Sequence, residues 1–159
     1  MEQFPVKLYS VSPSGEFGML RNDRQLDFEI ARVLLVDDDP AARLTLQTVL
    51  EASGYRVDSA ASAAEAVAKL DDQEYELVLS DLQMESPDAG LKVIAHARMM
   101  DYKPATALVT TYQNGGSREG GPLLIQPQDV PTLLGKVAEL IGGRASRQVN
   151  RELRLASQV

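Results

Sequence analysis

Between Arg32 and Arg43 the chain reads RVLLVDDDPAAR. Val33 to Val36 are all apolar, with no polar residue on either side of the chain. A strand has two faces, and its side chains alternate between them. A strand with both faces apolar must be covered on both, which points to an inner strand of a parallel sheet with helices above and below. The run ends in Asp37, Asp38 and Asp39. Like charges repel at short range and burial aggravates the repulsion, so these acids lie at an exposed edge or hold something positive.

The same alternation recurs downstream. Asp39-Pro40 reads as a helix start, the aspartate as N-cap and the proline as first helical residue. That helix carries Leu44, Leu46, Val49 and Leu50, and Gly54 is its stop. Strands are expected at 55–60, 76–81, 105–111 and 123–127. Ser62 and Glu65 form a capping box ahead of a helix with Ala66, Val67 and Leu70 on one face. Leu91, Ile94 and Ala95 mark another helical face, and Val130, Leu133, Leu134, Val137, Leu140 and Ile141 a last one, over about 129–141. Alternating strands and helices predict an α/β fold around a parallel sheet. Ligands in such sheets sit beyond the carboxyl ends of the strands. Asp37 and Asp38, Asp81, and Thr110 with Thr111 all fall at such ends.

Several carboxylates at one sheet edge suit a hard divalent cation such as Mg2+, and a neighbouring carboxylate can act as nucleophile toward a phosphoryl group. A hydroxyl at Thr110 would supply one of the donors that stabilise the transferred group. The net charge of -7 makes direct, sequence-independent nucleic-acid binding a poor expectation. There is no cysteine, no apolar run of membrane-spanning length, and no apolar signal segment in MEQFPVKLYS. A cytoplasmic protein without membrane contact is therefore expected.

In order and spacing, VLLVDDDP, LVLSDLQM and LVTT resemble the receiver domain of two-component response regulators, over roughly residues 31–142. The resemblance implies a flavodoxin-like, five-stranded parallel sheet of order 2-1-3-4-5. It implies that Asp81 is the phosphoacceptor and Thr110 the switch hydroxyl. Asp37, Asp38, Asp81 and the backbone carbonyl of Gln83 would be the Mg2+ ligands. It implies a histidine kinase or phosphotransfer protein as phosphodonor, and signalling through protein contacts rather than enzymatic turnover. The output partner stays open, and a homodimer through the C-terminal helix is one arrangement.

Three departures stand out. Gln126, in LLIQPQD, occupies the position where the family has lysine, and Leu123 the position of a switch aromatic. YQNGGSREGG, residues 112–121, holds four glycines in ten residues, so the helix of the fourth crossover is expected to be reduced or missing. MESPDAGL lengthens the loop after Asp81 by one residue. Arg118 is a candidate substitute cation. These departures keep a second reading open, a degenerate receiver acting as a phosphorylation-independent interaction module. A third, a Mg2+-dependent phosphohydrolase using Asp37 and Asp39, lacks a downstream lysine and acid set. Residues 1–30 form an N-terminal extension, as a hairpin or disordered, and residues 143–159 a basic tail, as a short helix or linker. His96 is expected to be a helix residue rather than a ligand.

Overall fold

The computed structural model describes residues 31–109, 124–125 and 130–158. The chain divides into two units, residues 1–30 and 31–159, and the N-terminal extension, expected as a hairpin or disordered, lies outside the described residues. The second unit runs β1 (Arg32–Val36), α1 (Pro40–Ala52), β2 (Arg56–Ala60), α2 (Ala63–Asp72), β3 (Leu77–Asp81), α3 (Ala89–Arg98), β4 (Ala105–Val109), β5 (Leu124–Ile125) and α4 (Val130–Ala156). The strands form one parallel sheet in the order β2-β1-β3-β4-β5. This is the expected doubly wound, flavodoxin-like arrangement. The crossover at residues 110–123, where a helix was expected to be reduced, lies outside the described residues.

The apolar run of β1 is buried on both faces, as its composition requires. Val33 and Leu35 join Leu50 of α1 and Leu133 and Val137 of α4. Leu34 and Val36 point the other way, toward Ala66 and Leu70 of α2 and Val93, Ile94 and Ala97 of α3. Local signals set the helix ends. The Asp39 carboxylate accepts from the Ala41 N–H at 3.0 Å, and Pro40 opens α1. Gly54, at φ +99°, takes the left-handed turn that stops it. The Ser62 hydroxyl accepts from the Glu65 N–H at 3.2 Å, while the Glu65 carboxylate takes the Ala61 N–H at 2.8 Å, one residue earlier than a standard box.

Two helix faces differ from the apolar spacing. Leu91 is 43% exposed and Ala95 is exposed, whereas Gly90, Val93, Ile94 and Ala97 are buried. Small residues at 89, 90 and 97 let α3 lie close to the sheet, so close approach rather than side-chain bulk selects the buried face. Leu44, 65% exposed, likewise lies off the buried face of α1.

The last helix does not stop near 141. It runs through Gly142 and Gly143 to Ala156. Among the described residues only Gly54 is a positive-φ glycine, so neither of this pair makes the left-handed turn of a helix stop. Arg144 anchors the continuation, donating from Nε to the Lys103 carbonyl at 3.0 Å and from Nη2 to the Tyr102 carbonyl at 2.8 Å. No helix among the described residues is long and apolar enough to cross a membrane.

Candidate functional site

The acids converge because two strands end side by side. β1 and β3 are neighbours, pairing Val36 with Ser80. Asp37 follows the last residue of β1, and Asp81 closes β3 opposite Val109 of β4. The Asp37 N–H extends the ladder to the Ala60 carbonyl at 3.0 Å, and the Leu82 N–H donates to the Val109 carbonyl at 3.2 Å. Both aspartates are thereby fixed by backbone before any ligand arrives. One carboxylate oxygen from each of Asp37, Asp38 and Asp81 lies within 4.8 Å of the others. Asp39, the third acid of the run, instead caps α1.

Burial and mutual repulsion mark the cluster. Asp37 is buried, which raises its carboxyl above the usual range; the Asp39 N–H opposes this at 2.9 Å, and the charges of Asp38 and Asp39 add to the rise. Burial also pushes Asp81 up, to about 6, reinforced by the charge of Asp37 and opposed by backbone N–H groups of Gln83 and Leu82. Arg43 approaches the pocket, but its Nη1 donates to the Asp37 carbonyl at 2.7 Å rather than to a carboxylate. Three crowded carboxylates fit a hard divalent cation of Mg2+ type, which takes oxygen ligands and offsets their repulsion. Gln83 lies two residues beyond Asp81, in the same loop. Thr110, Gln126, Leu123 and Arg118 lie outside the described residues.

Tight packing holds the loop after Asp81. The Gly90 N–H donates to the Leu82 carbonyl at 3.1 Å. A Cβ on Gly90 would sit 2.2 Å from the Asp81 carbonyl oxygen and 2.8 Å from both Cα and O of Leu82. The fully buried Ser80 hydroxyl donates to the same Asp81 carbonyl at 3.0 Å. Further along, the Glu85 carboxylate accepts the Ala63 N–H at 2.9 Å, tying this loop to the N-terminus of α2. The sequence reading missed Arg43, Ser80, Glu85 and Gly90 as site-supporting residues. Glu85 acts across 22 positions, so no local pattern announces it. His96 meets Asp71 at 2.8 Å between α3 and α2, away from the acids.

The family model of the response regulator receiver domain matches residues 33–119, more than half of the chain. The chain belongs to this family. The receiver is similar to the gliding motility regulatory protein of Myxococcus xanthus, 38% identical over 78 residues, a match covering 49% of this chain and 10% of that protein. It is also similar to two solved structures. A CheY-like receiver domain protein from Methanospirillum hungatei is 26% identical with a TM-score of 0.64, over 75% of this chain and 99% of the other. The response regulator TrrA from Thermotoga maritima, in complex with Mg2+ and BeF, is 29% identical with a TM-score of 0.62, over 70% and 99%. The chain spans a small part of the curated relative's length and nearly all of these two receivers. The receiver is thus a signalling module of two-component type.

Proposed function

We propose that the receiver accepts a phosphoryl group on Asp81 from a histidine kinase or phosphotransfer protein and signals through protein contacts. The observation that carries this reading is the meeting of Asp37, Asp38 and Asp81 at adjoining strand ends, within 4.8 Å. The Asp81 carboxylate oxygen attacks phosphorus as the bond to the donor imidazole breaks, leaving an acyl phosphate and a neutral histidine. The backbone N–H groups of Gln83 and Leu82 orient the carboxylate. Asp37, Asp38, Asp81 and the Gln83 carbonyl are the groups that would hold Mg2+, which when bound neutralises charge on the phosphoryl oxygens. Thr110 would donate its hydroxyl to one of those oxygens. A cytoplasmic location follows from such a donor.

The test is intact-mass analysis after incubation with Mg2+ and acetyl phosphate. One added phosphoryl group is expected in the native chain and none in Asp81→Asn. Labelling that persists in Asp81→Asn removes Asp81 from its role.

The second reading, an interaction module that works without phosphate, is favoured by Gln126, a neutral amide in place of the family's lysine. Charge-assisted hydrogen bonds are roughly twice as strong as neutral ones, so this position couples less energy from the phosphoryl group into the fold. Amide NMR with Mg2+ and beryllofluoride separates the two. Shifts confined to the surroundings of Asp81, and spreading into 130–141 only in Gln126→Lys, mark a weakly coupled receiver. No shifts at Asp81 favour the phosphate-independent module.

A further inference from the structure

The end of the molecule opposite the acids holds a second concentration of charge, of the other sign. Arg144, Arg147, Gln148 and Arg151 stand at the spacing that stacks residues on one helix face. They line a cavity of about 70 Å³ together with Asp101, Tyr102 and Lys103 from the turn before β4. That turn leads into Ala105, the first residue of β4, while Asp81 pairs with Val109, the last. A strand rises about 3.3 Å per residue, so about 13 Å of β4 separates the two ends.

We propose that this cavity binds the phosphate group of a small phosphorylated ligand. Four cationic residues line it and only one acid, Asp101, in a chain whose net charge is -7. Among the described residues, Arg147 and Arg151 make no hydrogen bond or ion pair. Arg144 is spent on the Tyr102 and Lys103 carbonyls, and Lys103 donates to the Arg98 carbonyl at 3.0 Å. The walls are therefore held by Arg144, while two guanidinium forks stay available. Such forks match the oxygens of a phosphate in paired hydrogen bonds. Lys103 has φ +46°, a left-handed conformation that few non-glycine residues adopt. Backbone held in this way is concentrated at ligand clamps. The volume is several times the roughly 10–15 Å³ that one water molecule needs on the same measure, so the cavity has room for a phosphate group.

The experiment titrates the full chain with pyrophosphate at constant ionic strength, followed by amide NMR. Saturable shifts confined to 101–103 and 144–151 are expected. Arg147→Ala with Arg151→Ala should weaken binding by about a hundredfold, since two charge-assisted bonds are lost and each is worth about tenfold. Both side chains are exposed, so the double variant keeps its fold. Arg154→Ala, on the same helix but absent from the lining, should bind as the native chain does. Absence of saturation at millimolar pyrophosphate overturns the proposal. So does equal weakening by Arg154→Ala, which would mean diffuse charge rather than a site. Tighter binding of a short single-stranded RNA, with shifts along the whole of 144–156, would overturn it in favour of a nucleic-acid surface.

Discussion

Replacing Gly90 with alanine tests whether backbone packing against the loop sets the position of Asp81. The new Cβ would stand 2.2 Å from the Asp81 carbonyl oxygen and 2.8 Å from two backbone atoms of Leu82. Ordinary van der Waals contact begins at about 3.4 Å, so α3 and the end of β3 must part by about 1 Å. No flexible side chain can absorb this, because all three opposing atoms are backbone. Overpacking costs about 1–3 kcal/mol where side chains can yield, so about 3 kcal/mol or more is expected here. At an m-value of about 1–3 kcal/mol per molar, the urea midpoint falls by about 1–3 M. The same displacement moves the Asp81 carboxylate relative to Asp37, so labelling by acetyl phosphate should slow in the fraction that remains folded. Gly54→Ala is the control. Its site is open but at φ +99°, so it should cost about 1 kcal/mol or more and leave the labelling rate alone. If Gly90→Ala unfolds at nearly the native midpoint and is labelled at the native rate, the account of how Asp81 is held is wrong.

Three further outcomes are expected. The Asp81 carboxyl titrates at about 6 in the folded chain and about 3.9 unfolded, so the folded state binds this proton more tightly. Its contribution is intact below about pH 4, is lost as pH rises through about 6, and leaves Asp81→Asn about 1–2 kcal/mol more stable than the native chain at pH 7, allowing for partial solvent screening; equal urea midpoints at pH 7 would contradict it. Asp38→Ala should weaken Mg2+ binding by at least about tenfold, read by titration calorimetry, and unchanged affinity would remove the metal pocket. Glu85→Ala removes the partner of the Ala63 N–H and should cost about 0.5–1 kcal/mol, with faster hydrogen exchange at that amide; unchanged exchange would show that the cross-loop contact does not persist in solution.

The parts of the molecule that sequence made legible are those governed by local rules. Two-sided apolar runs identify inner strands, because nothing else covers both faces, and β1 and β3 follow that rule. Asp39-Pro40, Ser62 with Glu65, and Gly54 act on neighbours within a few residues, and each marks the helix end its pattern indicates, with the Glu65 carboxylate displaced by one residue to the Ala61 N–H. The meeting of Asp37, Asp38 and Asp81 needs only strand ends and sheet order. What was misread depends on distant surfaces. Spacing places Leu91 on the core face, yet the face of α3 is chosen by how closely Gly90 can approach Asp81. The apolar stripe of the last helix runs out at Ile141, yet Arg144 holds the helix onward by reaching carbonyls 41 and 42 positions away. Thr110 and Gln126 lie outside the described residues.

The continuous 27-residue α4 makes the receiver a machine with an arm. At 1.5 Å per residue the helix is about 40 Å long, and the stretch from Arg144 to Ala156 extends about 18 Å past the carbonyls that Arg144 contacts. A tilt of about 10° at that contact sweeps the tip through about 3 Å, a displacement comparable to half a helical turn. A small rearrangement at that contact would be magnified at the tip by the length of the helix. The gain is set by where the fulcrum sits, at the two carbonyls that Arg144 grips.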